Sequence, residues 1–350
     1  MRVCDYIARE LSNIGVKNIY GLMGGGAAGL NDGFIKHPDL DYICFHNEQG
    51  AGHAAIGESK ATGKLAVVNP TTGCGGTNCI TSVLDAWQDS VPILFISGNV
   101  GSKDMTYFYN KNREHEYHLR KYGIQENDIS KIVEPITKRV WVIEDVDYVA
   151  LILRSAIQEA TSGRPGPVWI DIPSNIQTAE MPEYVNVENS KPMIDFDLLK
   201  TNTLPQSFVK NLMNYKRPII LAGAGIRQAN CISEFLMFVG NTQIPYVSTY
   251  AARDYAPYHN VYNIGAIGVK GSRQGNFAMY HSDLLLILGC SLNTSHIGYD
   301  ERKFSPYSHK IRIDIDRGEI HRNYPKIDET YRLHLKNFFL ECRKQMENTK

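Results

Sequence analysis

Three stretches of this sequence place glycines and small polar residues between a short apolar run and a helical one. They are Gly21-Leu22-Met23-Gly24-Gly25-Gly26, His46-Asn47-Glu48-Gln49-Gly50-Ala51-Gly52-His53-Ala54-Ala55 and Asn69-Pro70-Thr71-Thr72-Gly73-Cys74-Gly75-Gly76-Thr77-Asn78. Glycines at such a junction let the backbone turn sharply and approach a ligand closely, and the helix start behind them presents free N–H groups. The spacing around Gly21 does not give G-x-G-x-x-G, so this is not the dinucleotide fingerprint. In the second stretch Glu48 is the candidate for chemistry, because it follows an apolar run and its neighbours have no bulk to shield it from a ligand. An acid in a first helical turn also has a simpler role, its favourable interaction with the helix dipole.

Positioning these loops requires a particular scaffold. Apolar segments at 18–22, 42–45, 65–68, 93–97 and 168–172 alternate with helical stretches, notably 48–61 and 77–87. That alternation predicts a mainly parallel sheet covered on both faces, with ligand-binding loops at the carboxyl ends of its strands. On the small-residue helix, Gly50, Ala54 and Gly57 share one face, which predicts close packing there, with His53 as a packed histidine. From Ser174 the pattern lapses into polar, proline-containing sequence. This places a first domain at 1–175, a linker at 176–196 and a second domain at 197–350. Alternation resumes at Pro218-Ile219-Ile220-Leu221-Ala222-Gly223-Ala224-Gly225 and continues at 244–247, 283–288 and 310–315, with a closing helix over 329–346. The expected fold class is α/β, with two doubly wound, mainly parallel-sheet domains.

Bulk properties narrow the partners. The 350 residues are comfortable for two domains. Lys plus Arg and Asp plus Glu are both 37, so the formal net charge is zero and no long-range field attracts nucleic acid or an anionic membrane. Seven cysteines form no zinc-site spacing and read as reduced thiols. The N-terminus has no apolar signal core, and no run reaches the ~18 apolar residues a membrane span needs. The expectation is a cytoplasmic protein with a small-molecule substrate or a protein partner.

Further segments complete an ordered set: Asp85-Ala86-Trp87-Gln88-Asp89-Ser90-Val91-Pro92, then Tyr122-Gly123-Ile124-Gln125-Glu126, then Ser162-Gly163-Arg164-Pro165-Gly166-Pro167-Val168. Taken together, the segments resemble the pyrimidine-binding domain of thiamine-diphosphate enzymes, most closely acetolactate synthases. That pattern runs from Gly-x-Pro-Gly-Gly to His-Glu-Gln-Gly-Ala, Thr-Ser-Gly-Pro-Gly-Ala-Thr-Asn, Asp-Ser-Val-Pro, Phe-Gln-Glu and Ser-Gly-Arg-Pro-Gly-Pro-Val. The resemblance covers residues 3 to 345 and continues through the family's central domain. Met23, Asn47, Cys74, Gly76 and Ile124 depart from it, Ile124 standing where the family has the pocket-lining Phe of Phe-Gln-Glu.

The resemblance implies thiamine diphosphate as cofactor, decarboxylation of a 2-keto acid such as pyruvate, and transfer of the acyl anion to a second carbonyl compound. It implies that Glu48 hydrogen-bonds N1′ of the aminopyrimidine. A carboxyl kept from water is disfavoured as an anion and can share a proton with a ring nitrogen. By the same match Gln125 lines the substrate side, Asn78 helps shape the pyrimidine site, and Gly24, Gly25, Thr72 and Gly73 contact the cofactor. Simpler roles are a surface amide for Gln125 and a helix-terminus cap for Asn78. His115 and His118, in Asn112-Arg113-Glu114-His115-Glu116-Tyr117-His118, read as a solvated helix face.

No Gly-Asp-Gly occurs in the sequence, and the only Asp-Gly is Asp32-Gly33. No metal ligands are therefore assigned here, and the Mg2+ that holds the cofactor's diphosphate is expected on a C-terminal domain absent from this chain. Gly223-Ala224-Gly225-Ile226-Arg227 resembles the glycine turn that binds FAD in acetolactate synthases. FAD is disfavoured, because Ser291-Leu292-Asn293-Thr294-Ser295 replaces their Arg-Phe-Asp-Asp-Arg and Glu134 sets a negative charge before Pro135. The expected assembly is a homodimer or homotetramer joined by a separate C-terminal-domain polypeptide. The rival expectations are a catalytically inactive or truncated homologue that only dimerises or regulates, and a nucleotide-binding dehydrogenase, which lacks an acid at ribose spacing after Gly225.

Overall fold

A computed structural model describes residues 1–111, 118–182, 202–257 and 259–347 of the chain. The chain divides into two compact units, Met1–Phe196 and Asp197–Lys350.

The first unit holds strands β1 (Asn18–Gly21), β2 (Asp41–Cys44), β3 (Ala66–Asn69), β4 (Ile93–Asn99), β5 (Arg139–Val142) and β6 (Val168–Pro173). They form one parallel sheet in the order β2-β1-β3-β4-β6-β5. The chain steps from β1 outward to β2, then crosses back over β1 to β3. The strand order therefore reverses between β1 and β3, the position where sheets of this kind bind ligands. Both sheet faces are buried, as apolar strands without alternation require. Val67, Leu94, Ile96 and Ile170 pack against Ile7 and Leu11 of the helix Val3–Asn13 and against Leu153 and Ala156 of Val149–Thr161. On the other face Val68, Ile93 and Phe95 meet Ala51, Ala55 and Val83. The rings of Phe95 and Trp169 stack there at 5.1 Å.

The small-residue helix runs from Glu48 to Thr62, with the Asn47 side chain as its N-cap and Gly63 closing it at φ 70°. Its buried face is Glu48, Ala51, Gly52, Ala55, Ile56 and Ser59, against expectation. A Cβ on Gly52 would overlap Ser82 Oγ, while one on Gly57 would meet nothing. Gly57 is exposed, and so is His53, which is not packed but faces Asp85 at 3.3 Å. In a run of residues this small, size does not single out the inner face. The helix expected over 77–87 is two helices, Cys74–Asn78 and Ile80–Asp89.

The second unit forms a second parallel sheet in the order β12-β11-β10-β7-β8-β9. Its strands are β7 (Pro218–Ala222), β8 (Tyr246–Ser248), β9 (Asn263–Ala266), β10 (Leu284–Leu288), β11 (His309–Asp314) and β12 (Glu329–Arg332). The closing helix expected over 329–346 begins only at Leu335. Glu329–Arg332 is instead an edge strand, paired with β11 over four residues. Its β-prone Thr330 and Tyr331 satisfy their backbone in the ladder. The expected linker also starts late, since Ser174–Gln177 is helical and Gln177 is fully buried. Gln177 Nε2 donates to Gly26 O at 2.7 Å and to Ile172 O at 2.8 Å. Residues 183–196 of that linker lie outside the described residues. No described helix is long and apolar enough to cross a membrane.

One buried acid sits inside the first sheet. Asp171 on β6 is 2% exposed and accepts from Ser97 Oγ at 2.5 Å and Asn99 Nδ2 at 2.7 Å. Trp169 Nε1 donates to the same Ser97 oxygen at 2.8 Å. Burial raises the Asp171 carboxyl to about 7, partly offset by those two hydrogen bonds.

The folded state therefore keeps a proton that the unfolded chain releases in the ordinary carboxylate range. This contribution to stability is fully present below about pH 4. It is lost as pH rises toward 7, at up to roughly 1.4 kcal/mol per pH unit. Urea unfolding at a series of pH values should show that decline, and Asp171→Asn should flatten it. On the helix, Gly52→Ala should destabilise by about 1–3 kcal/mol through overpacking. Gly57→Ala should stabilise by about 0.5–1 kcal/mol, since an exposed helical glycine gains from a methyl. Equal urea midpoints for the two variants would place the packed face elsewhere.

Candidate active site

Glu48 is the first residue of its helix and is 7% exposed. Its carboxylate is held from one side, with Asn78 Nδ2, at the end of the helix Cys74–Asn78, donating to Oε2 at 2.7 Å. Asn78 therefore fixes this carboxylate as well as closing its own helix. The second oxygen, Oε1, receives no hydrogen bond among the described residues. It faces Gly75, where a Cβ would lie 3.1 Å from it. The buried Cys79 thiol, 3.8 Å from Glu48 O, backs the helix start.

Above Gly75 lies Thr71, which the sequence did not single out. A Cβ on Gly75 would come within 2.5 Å of Thr71 Cγ2, and one on Gly24 within 2.5 Å of Thr71 Oγ1. The absence of side chains at these two glycines lets the first and third loops meet around Thr71. Its hydroxyl is buried and has no hydrogen-bond partner. A buried hydroxyl without a partner costs free energy unless a ligand supplies one. Thr71 Oγ1, beside Gly24, is thus buried without a partner, and Glu48 Oε1, beside Gly75, is left open to one. They fit a group with a polar edge and a flat apolar body, as an aminopyrimidine has.

The remaining sequence candidates take distinct positions. Gly24 N donates to Asn31 Oδ1 at 3.4 Å, and Asn31 Nδ2 reaches Tyr42 Oη at 2.9 Å and Asn69 Oδ1 at 2.6 Å. This side-chain bridge ties the first loop to β2 and β3. A Cβ on Gly25 would meet nothing. Thr72 points into the protein, its hydroxyl donating to Asn99 Oδ1 at 2.9 Å, and so hangs the third loop on the Asp171 network. Gly73 has φ 61°, and a Cβ there would overlap Gln125 O, so both conformation and contact demand glycine. Gln125 is itself left-handed at φ 55°, with an exposed side chain, and reaches the third loop through its main chain. Beside it Ile124 is 78% exposed.

The turn carrying Gln125 is held by Glu126. This carboxylate is 4% exposed and accepts from Tyr122 N at 3.0 Å and from the Thr106 hydroxyl. Glu126 stands in the Phe-Gln-Glu match without a role assigned to it, and Asp171 falls in no motif, although an acid in the apolar run Trp169-Ile170-Asp171-Ile172 is a visible signal. His115 lies outside the described residues, and His118 is exposed in irregular chain, not on a helix face. Among the described residues no group of three or more His, Cys, Asp or Glu is placed to hold a metal ion.

In the second unit the turn after β7 is shaped by packing. Cβ atoms on Gly223 and Gly225 would collide with the backbone of Gly289, and Gly225 N donates to Gly289 O at 2.9 Å. Arg227 pairs with Asp254. Glu134 is exposed at the start of a short 3-10 turn.

The description "Thiamine pyrophosphate enzyme, N-terminal TPP binding domain" matches residues 1–131, and "Thiamine pyrophosphate enzyme, central domain" matches residues 206–333. The acetolactate synthase large subunit of Lactococcus lactis is 32% identical over 314 residues, covering 90% of this chain and 52% of the relative. A probable acetolactate synthase large subunit of Methanocaldococcus jannaschii is 31% identical over 330 residues, covering 92% and 52%. The acetolactate synthase large subunit of Haemophilus influenzae is 29% identical over 333 residues, covering 92% and 54%. The chain spans about half the length of these curated relatives. Two family matches in sequence order, on two parallel-sheet units, place the chain in the thiamine pyrophosphate enzyme family, with a sequence similar to acetolactate synthase large subunits.

Proposed function

We propose that this chain supplies the pyrimidine-binding side of an acetolactate-synthase-like active site. The reaction is decarboxylation of a 2-keto acid such as pyruvate and transfer of the acyl anion to a second carbonyl compound. The observation that carries the reading is Glu48, whose Oε2 is fixed by Asn78 while Oε1 is left without a partner beside Gly75.

In this reading Glu48 Oε1 holds a proton against the N1′ edge of the aminopyrimidine. Asn78 keeps the carboxylate from rotating, so the proton is offered in one direction. Thr71 Oγ1 gives its unmet hydrogen bond to the bound ring. Gly24, Gly25 and Gly73 leave room for the cofactor, and Thr72 anchors the loop from below. Gln125 faces the substrate side. Thiamine diphosphate, when bound, supplies a thiazolium ring that accepts the electron pair released with carbon dioxide. Its diphosphate and Mg2+ would be held by a region bearing a Gly-Asp-Gly motif, which these 350 residues do not contain, in a dimeric or tetrameric assembly. FAD is left out of the proposal, since Ser291-Leu292-Asn293-Thr294-Ser295 and Glu134 offer its phosphates no positive charge.

The test is a titration of thiamine diphosphate and Mg2+ followed by calorimetry, with and without a partner polypeptide carrying the Gly-Asp-Gly region. Saturable binding that requires the partner is expected, with 2-keto acid turnover in the complex. Glu48→Gln should lower turnover by about 10²–10⁴-fold, the usual share of a positioned acid–base group. Its melting temperature should be unchanged. Turnover that survives Glu48→Gln reduces Glu48 to a helix-terminus residue. Absence of binding in every arm favours an inactive, regulatory homologue.

A further inference from the structure

The second unit contains a recess of about 310 Å³ whose lining includes Phe208, Leu212, Tyr215, Ile311, Glu329 and Tyr331. It lies between the helix Phe208–Leu212 and the β11–β12 edge, and nothing in the proposed reaction uses it. Three aromatic rings and one charged side chain, Glu329, line it. The Phe208 and Tyr331 rings stand 5.8 Å apart at 83° and so form a corner. The Tyr215 ring is braced from behind by the His309 ring, stacked at 6.2 Å.

Glu329 is held in place without being neutralised by a lysine or arginine. Its Oε2 accepts from Tyr331 Oη at 2.8 Å, and its Oε1 lies 2.8 Å from His309 Nε2. His309 is shared, because its Nδ1 lies 3.8 Å from Asp328 Oδ2. Lys310 is drawn toward Asp328, but its Nζ donates to Ser308 O at 3.3 Å. Asp283 completes the acidic surroundings, with its carboxylate capping Lys216 N and Arg217 N at 2.8 Å each. Burial and then the carboxylates of Glu329, Asp283 and Asp328 push the Tyr215 phenol up.

A concave site of a few hundred Å³ with aromatic walls and a single fixed carboxylate has a definite preference. The negative faces of aromatic rings and a carboxylate both attract a soft, weakly hydrated cation and give an anion nothing. We propose that this recess is a binding site for a small organic cation, an ammonium or trimethylammonium group, held by Glu329 and the Phe208, Tyr215 and Tyr331 rings. The recess belongs to the second unit, and the Glu48 loops belong to the first.

Choline and its neutral isostere 3,3-dimethyl-1-butanol test this, titrated at pH 8 into the full chain with tyrosine ring resonances as the readout. Choline should bind saturably, and the isostere roughly tenfold more weakly or worse, the difference a desolvated cation–π and carboxylate contact makes. Glu329→Gln should weaken choline by about tenfold, and Tyr331→Leu by at least as much. Tyr331→Phe keeps the wall and frees Glu329 Oε2, so it should bind choline at least as well as the parent. This variant decides the matter if Tyr331→Leu fails to fold. Equal binding of choline and the alcohol, or no saturable response to choline, would overturn the proposal.

Discussion

The hydrogen bond from Asn78 to Glu48 is the interaction on which the site depends. A carboxylate at a helix start is free to turn toward water, where it is an ordinary companion of the helix dipole. Bonded through one oxygen and pressed against Gly75, it presents the other oxygen in one direction. That geometry exists because the helices carrying the two residues start from the ends of β2 and β3, the two strands that flank β1. The strand order of the first sheet reverses between β1 and β3. The reversal parts the connecting segments to opposite faces and leaves the loops to meet over the strand ends.

Close approach has a cost in side chains, and glycine meets it at each contact. Gly24 and Gly75 close on Thr71, and Gly73 closes on the main chain of Gln125. The loops are fastened from beneath by polar side chains in the sheet. Asn31, Tyr42 and Asn69 join the first loop to β2 and β3, while Asp171, Asn99 and Thr72 join the third loop to β4 and β6. A buried polar network of this kind is favourable only when its members are satisfied, which makes it exacting about geometry. The atoms left unsatisfied at the edge of it, Thr71 Oγ1 and Glu48 Oε1, are therefore informative.

The second unit repeats the architecture with a different outcome. Its strand order reverses between β7 and β10, the position where a nucleotide crevice is expected. There the backbone of Gly289 meets Gly223 and Gly225, and the glycines serve chain packing. The recess lined by Phe208, Tyr215, Tyr331 and Glu329 lies instead beside an edge strand. Two parallel sheets of different strand order thus carry a candidate ligand site at the strand ends of one unit and at the sheet edge of the other.

Much of this was legible in the residue order. Unbroken apolar runs such as Ile93-Leu94-Phe95-Ile96 and Leu284–Leu288 require burial on both faces, and their alternation with helices leaves a parallel sheet as the solution. Strand, glycine loop and helix in succession pointed to Glu48, and the family resemblance added Gly73 and Asn78, before any contact was known. The edge strand Asn263–Ala266 was not found because it carries no apolar run, and Arg139–Val142 was passed over although Val140-Trp141-Val142 is apolar and β-prone. Glu329–Arg332 was taken for helix because its strand character lies in pairing with β11, a partner nearly twenty residues away. The packed face of the Glu48 helix was misplaced, since residues without bulk carry no period. Local pattern thus determined the elements and the acid that could do chemistry. Only the tertiary structure decided which oxygen of that acid stays free, because that depends on where Asn78, Gly75 and Thr71 come together in space.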